Sequence, residues 1–261
     1  MTRMISRISL LASLGFLSLP ALAEETSWVD RIALNGDIRL RYESIEQDAV
    51  PDRDRSRYRV RLGLKADLYE DIRFIASLAT GADNPISRNV TFGDSFGVDD
   101  FGLELAYVDW QVNDSWHLYA GKMKNPMDRA GGVQIIYDGD LNPEGLGMRY
   151  ASERFFANAG AFFVEERATA DDTHLFHAQA GMRLELGDAG ELTVGAGYFT
   201  YTNTLGSLPF HFSSPRGNTV DGNNQYVYDY ANSEIFTEFD TRLGEWPLRL
   251  YAHYTVNHEV Q

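Results

Sequence analysis

Hydrophobic and polar residues alternate one by one along most of this chain. Tyr58, Val60, Leu62, Leu64, Ala66 and Leu68 make one apolar face, interleaved with Arg59, Arg61, Gly63, Lys65 and Asp67. The preceding stretch repeats the pattern, with Ile32, Leu34, Ile38, Leu40 and Tyr42 set against Asn35, Asp37, Arg39, Arg41 and Glu43. It returns at Phe176–Leu186 and at Leu248–Val256. A period of two places successive side chains on opposite faces of a strand. The pattern predicts eleven strands, at about 32–45, 56–69, 72–81, 101–112, 116–123, 145–151, 154–165, 174–186, 190–203, 233–243 and 247–258. Two of them carry a flaw. Glu104 interrupts the apolar face of 101–112, which suggests a bulge or an early end, and Lys122 falls on the apolar face of 116–123.

An antiparallel sandwich also alternates, but its strands usually run to about 5 or 6 residues, shorter than these. The connections are also lopsided. Short polar turns (Tyr69–Asp71, Asn113–Ser115, Ser152–Glu153, Gly187–Gly190, Gly244–Trp246) alternate with long segments near 46–55, 82–100, 124–143, 166–173 and 204–232. Long loops at one end and tight turns at the other are the sidedness of an outer-membrane barrel. The expected fold is therefore all-β, an antiparallel transmembrane β-barrel. Tyr42, Tyr58, Trp110, Trp116, Tyr150, Tyr198 and Tyr254 fall toward strand ends on apolar faces, which suits interfacial girdles as well as ordinary strand composition.

The first residues read differently. Arg3 and Arg7 precede a short apolar run, Ile8–Pro20, and Ala21-Leu22-Ala23 ends it with a small-x-small site. This is the pattern of a secretory signal peptide over 1–23, exported by the Sec route and cleaved after Ala23, with the barrel domain over 24–261. The apolar run is shorter than the roughly 20 residues of a spanning helix. The net charge of -15 argues against a nucleic-acid partner, which needs a basic face. The absence of cysteine (Cys 0) fits an envelope protein and excludes little.

Eleven strands are an odd number, whereas bacterial single-chain barrels have even counts. The expectation is a chain that stops before the barrel closes, a C-terminal truncation. Two motif groups carry a family resemblance: Gly36-Asp37-Ile38-Arg39-Leu40-Arg41-Tyr42-Glu43 with Arg55–Leu64, and Ala106–Trp110 with Tyr119–Pro126. They resemble the putative porin family of Gram-negative outer membranes, related to general-diffusion and phosphate-selective porins. The resemblance implies a barrel of about sixteen strands, a homotrimer when complete, and a third outer loop folded into the lumen.

On the polar faces, Arg39, Arg41, Arg59, Arg61, Lys65 and Arg73 lie on neighbouring strands, with Arg149, Arg183, Arg242 and Arg249 further round. They read as a basic ladder lining a wet pore; ion pairing with Asp37, Glu43 and Asp67 that only stiffens the wall is the alternative. The segment 124–143 carries Asp128, Asp138 and Asp140, with Glu144 just after it. Spacing alone fits a surface loop equally well. Folded inward as the resemblance implies, it sets acids across from the ladder at a constriction. Gly131-Gly132 would be its hinge, and Val133–Tyr137 an apolar segment able to pack on the wall.

The expected function is passive diffusion of ions and small hydrophilic solutes. A structural or adhesive barrel and an outer-membrane hydrolase are the alternatives. The six histidines are scattered, no Gly-x-Ser-x-Gly elbow is present, and nothing suggests a catalytic residue, a cofactor or a metal site. The long loops are acidic, a surface suited to divalent cations that bridge lipopolysaccharide.

Overall fold

The structure is a computed structural model and describes residues 28–260 except 47, 49, 82, 83, 212 and 213. The signal segment and its cleavage point lie outside the described residues. After a short 3-10 turn at Trp28–Arg31, the strands are β1 (Ile32–Ile45), β2 (Arg53–Asp67), β3 (Ile72–Thr80), β4 (Val90–Thr91), β5 (Phe101–Asn113) and β6 (Trp116–Lys122). They continue as β7 (Glu144–Ala151), β8 (Phe155–Glu165), β9 (Thr173–Glu185), β10 (Glu191–Tyr201), β11 (Ala231–Leu243) and β12 (Trp246–Asn257). All pair antiparallel in one 12-stranded sheet with neighbours in chain order, except that β4 pairs with β2. β4, inside the long segment 81–100, is the one strand that the alternation pattern misses, being two residues long. The strands β1 and β12 are the edges of the sheet.

Local chemistry sets the tight turns. Leu243 pairs with Trp246, so Gly244 and Glu245 form a two-residue hairpin loop. Gly244 takes φ 65°, the left-handed value that the twist of such a turn demands. At the β5–β6 turn, the Asn113 side-chain oxygen accepts hydrogen bonds from the backbone of Ser115 (2.9 Å) and Trp116 (3.1 Å).

Burial is inverted relative to a water-soluble sheet. Leu34 is 80% exposed, Ile38 72% and Leu40 73%, while Glu104 is 1% exposed, Gln179 3% and Glu234 3%. The exposed apolar face continues through Leu62, Leu146, Phe176, Tyr198, Ile235 and Tyr254. The opposite face is covered by the long connection between β6 and β7. Its Met123, Met127 and Tyr137 bury against Phe162, Leu175 and Phe199 of the sheet, and its Ala130 packs with Phe156 and Phe236.

Candidate functional site

Strand parity builds the site. On β2 the odd positions share the covered face, so Arg53, Arg55, Arg57, Arg59 and Arg61 project there at every second residue. The register with β1 sets Arg39 opposite Arg59 and Arg41 opposite Arg57. Like charges directly opposite repel, and the guanidinium groups turn to neighbouring carboxylates and amide oxygens instead. Arg59 reaches Asp37 at 2.6 Å. Glu43, buried in the strand face, is shared by Arg55 at 2.5 Å, Arg41 at 2.8 Å and Arg57 at 3.5 Å. The 81–100 connection folds over this cluster. Arg57 donates to the Ser87 hydroxyl (3.2 Å) and the Asn89 carbonyl (2.6 Å), and Arg39 donates to the Asn89 side chain (2.6 Å).

A bulge in β5 supplies the deepest acid. Ser77 pairs with Leu105 but Leu78 pairs with Leu103, so Glu104 is the extra residue and turns to the covered face. Arg61 grips it with Nε at 2.9 Å from both carboxylate oxygens and Nη2 at 2.5 Å from one. The Ser77 hydroxyl donates to it at 3.2 Å, and Arg88 (3.8 Å) and Lys124 (3.9 Å) stand close by. Arg61 Nη2 also reaches Asp140 at 3.0 Å.

The connection 123–143 therefore lies across the polar face of the sheet. Near its other end the Asp128 carboxylate takes bonds from Arg149 (2.8 Å) and Asn158 (3.2 Å). Gln179 clamps the Asp128 backbone, accepting from its N–H at 2.9 Å and donating to its carbonyl at 3.0 Å. The Gly131 N–H donates to Glu238 at 2.5 Å, and Gly131, at φ 60°, abuts the Tyr251 ring of β12. Residues from β2 to β12 thus hold one loop in place. Tyr137 of the apolar segment is buried beside Phe199, while Ile135 remains 55% exposed.

Between the β1–β2 arginines and this loop is a cavity of about 810 Å³. Arg39, Arg41, Arg55 and Arg57 stand on the strand side, Asp138 and Asp140 on the loop side. Such a pair of opposed walls exerts a field across the space between them, strongest where low-dielectric walls focus it.

The other residues named from the sequence are dispersed. Arg73 pairs with Asp67 at 2.6 Å, and Arg249 with Asp240 at 2.6 Å. Arg183 lies 4.9 Å over the Phe156 ring, Arg242 donates to the Glu245 carbonyl, and Lys65 has no ion-pair partner among the described residues. Glu144 requires a correction. It opens β7 opposite Phe163 and Lys122, on the outer apolar face, and pairs with Lys122 at 2.5 Å. It therefore takes no part in the acidic side of the cavity, because the face it occupies is set by β7 parity and not by the loop before it. The same pair accounts for Lys122, whose charge on an apolar face meets its counterion there. Arg55, Arg57 and Glu104 belong to the cluster and were not foreseen. The run of arginines at every second position from 53 to 61 was the available signal for the first two.

A family model described as "Putative porin" matches residues 45–233, most of the chain. No curated protein matches it.

Proposed function

The chain belongs to this "Putative porin" family, and from that premise we propose that it lines a water-filled channel in the outer membrane through which ions and small polar solutes diffuse. The inverted burial of the sheet carries this reading. A face with Leu34, Ile38 and Leu40 mostly exposed is unfavourable in water and matches the apolar band that a barrel turns to lipid. The opposite face, rich in partly buried arginines and buried carboxylates, suits a polar lumen. In this reading the edge groups of β1 and β12, each costly if unpaired in hydrocarbon, are satisfied by further strands completing a barrel of about sixteen. Three barrels associate, and the acidic loops face lipopolysaccharide.

The loop 123–143 narrows the channel, and the arginines facing Asp138 and Asp140 orient dipolar solutes there. A second reading, a barrel whose charges only brace its wall, draws on the ion pairs of Arg59, Arg61, Arg73 and Arg249. The space left between the two charged walls favours the channel. Electrical recording in planar bilayers under a salt gradient, on protein carrying the strands that close the barrel, tests both. The expected result is a steady conductance whose reversal potential moves toward cation selectivity in Arg41→Ala and Arg57→Ala. Unchanged selectivity removes the ladder's role, and folded protein that conducts nothing removes the channel.

A further inference from the structure

A second cavity, of about 490 Å³, lies at the long-loop end of the sheet and shares no lining residue with the arginine-lined one. Its walls come from the 202–230 connection, the adjoining ends of β10, β11 and β12, and Ile135 and Ile136 of the inward loop. In a chain with 23% charged residues, none of its lining residues is charged. Tyr201, Tyr226, Tyr228 and Tyr230 contribute rings, and Asn218 and Asn232 contribute carboxamides.

Two polar groups in this wall lack partners. The Asn232 side chain, on a residue 8% exposed, makes no hydrogen bond among the described residues, and its carboxamide keeps access to the cavity. The Tyr230 hydroxyl is fully buried and unbonded. A buried polar group left unsatisfied costs about 1–3 kcal/mol, so the Tyr230 hydroxyl favours a ligand or water that completes it, with the Asn232 carboxamide beside it free to bond. The rings of Tyr226 and Tyr230 meet edge to face, with centroids 5.6 Å apart, and Tyr228 makes no ring contact among the described residues.

The lining selects by chemistry. An ion entering would shed water and find no countercharge. A wholly apolar solute would leave Asn232 and Tyr230 unbonded. A ring with apolar C–H faces and hydroxyl groups at its edge satisfies both requirements, stacking on tyrosine and bonding to the amides. The size also falls within the roughly 300–1,000 Å³ of small-molecule sites. We propose that this cavity is a binding site for a neutral mono- or disaccharide. It binds at the long-loop mouth, apart from the charged constriction, and its occupancy does not depend on conductance.

Calorimetric titration of the full chain, refolded in detergent micelles, with maltose, sucrose and gluconate tests the proposal. The expected result is saturable binding of at least one of the two neutral sugars and none of gluconate. Asn232→Ala and Tyr228→Ala should each weaken it about tenfold, the worth of one hydrogen bond or ring contact. Tyr228 sits in a connection rather than a strand, so its variant carries the test if Asn232→Ala does not refold. Absence of saturable binding by both sugars overturns the proposal. So does affinity unchanged in refolded variants, or gluconate binding as tightly as the neutral sugars.

Discussion

Arg61 and Asp140, 79 positions apart in the chain, meet at 3.0 Å, so that a strand residue holds the returning end of the loop that crosses the sheet's polar face. The same guanidinium grips the buried Glu104, and the two acids share one cation. The pair is unequal in burial, since Glu104 is 1% exposed and Asp140 21%. Removing one member of a buried pair leaves an uncompensated charge and costs about 3–5 kcal/mol, whereas a more exposed pair is worth far less. Glu104→Gln should therefore lower the urea midpoint of the refolded protein markedly. Asp140→Asn should leave it nearly unchanged but loosen the loop, seen as faster proteolysis within 123–143. Equal destabilisation by the two would show that loop and wall do not differ as described.

Leu62 points outward from the middle of β2 and is 57% exposed. On a water-facing surface, Leu62→Arg would change stability by less than about 0.5 kcal/mol. On a lipid-facing one it costs about 2–4 kcal/mol near the bilayer midplane. Reversible unfolding from lipid vesicles is expected to show the larger penalty. A neutral result would place this face in water and overturn the membrane orientation.

Much of this arrangement is legible in the sequence because a strand's side-chain period is local. The alternation at Tyr58–Leu68 suffices to assign both faces of β2, and Gly244 marks its turn by its own conformational freedom. The limits arise where geometry depends on a partner strand. Glu104 reads as a flaw in β5 until the register against Ser77 and Leu78 shows that it is the extra residue of a bulge. Glu144 looks like part of the acidic loop because it follows it, but β7 begins one residue earlier than its pattern suggests, and pairing with Lys122 fixes its face. Arg55 falls outside the pattern because β2 extends to Arg53, beyond the point where apolar alternation fades. Nor does the sequence place Asp128 against Gln179, since that contact needs the loop's path over four strands.

Gly131 sits where the inward loop crosses β12. Its φ of 60° and its approach to the Tyr251 ring leave no room for a Cβ. Left-handed backbone costs an L-residue about 1–2 kcal/mol before any clash is counted. Gly131→Ala is thus expected to detach this part of the loop and break the Gly131–Glu238 hydrogen bond, giving noisier single-channel currents. Adding Tyr251→Ala should restore only part of the quiet behaviour, because it removes the clash and leaves the backbone strain. Full restoration would assign the whole effect to the ring.

Asp229, in the connection before β11, holds the root of the 202–230 connection. Its carboxylate accepts from the Thr204 N–H (3.1 Å), the Thr204 hydroxyl (2.7 Å) and the Leu205 N–H (2.9 Å). Burial pushes its pKa up, but these three bonds outweigh burial and hold it below the ordinary 3.8. A group whose folded pKa is depressed stabilises the fold above its unfolded pKa, and that contribution is lost as pH falls through the folded value. The loop root should therefore be intact at neutral pH and down to about 4, then weaken progressively below the ordinary aspartate value of 3.8. Hydrogen exchange at the amides of Thr204 and Leu205, corrected for intrinsic rates, is the direct readout. Protection should fall over that acid window in the wild type, whereas Asp229→Asn should already be less protected at pH 7 and show no such fall. Loss of protection beginning near pH 6 would point to a histidine instead and remove Asp229 from this role.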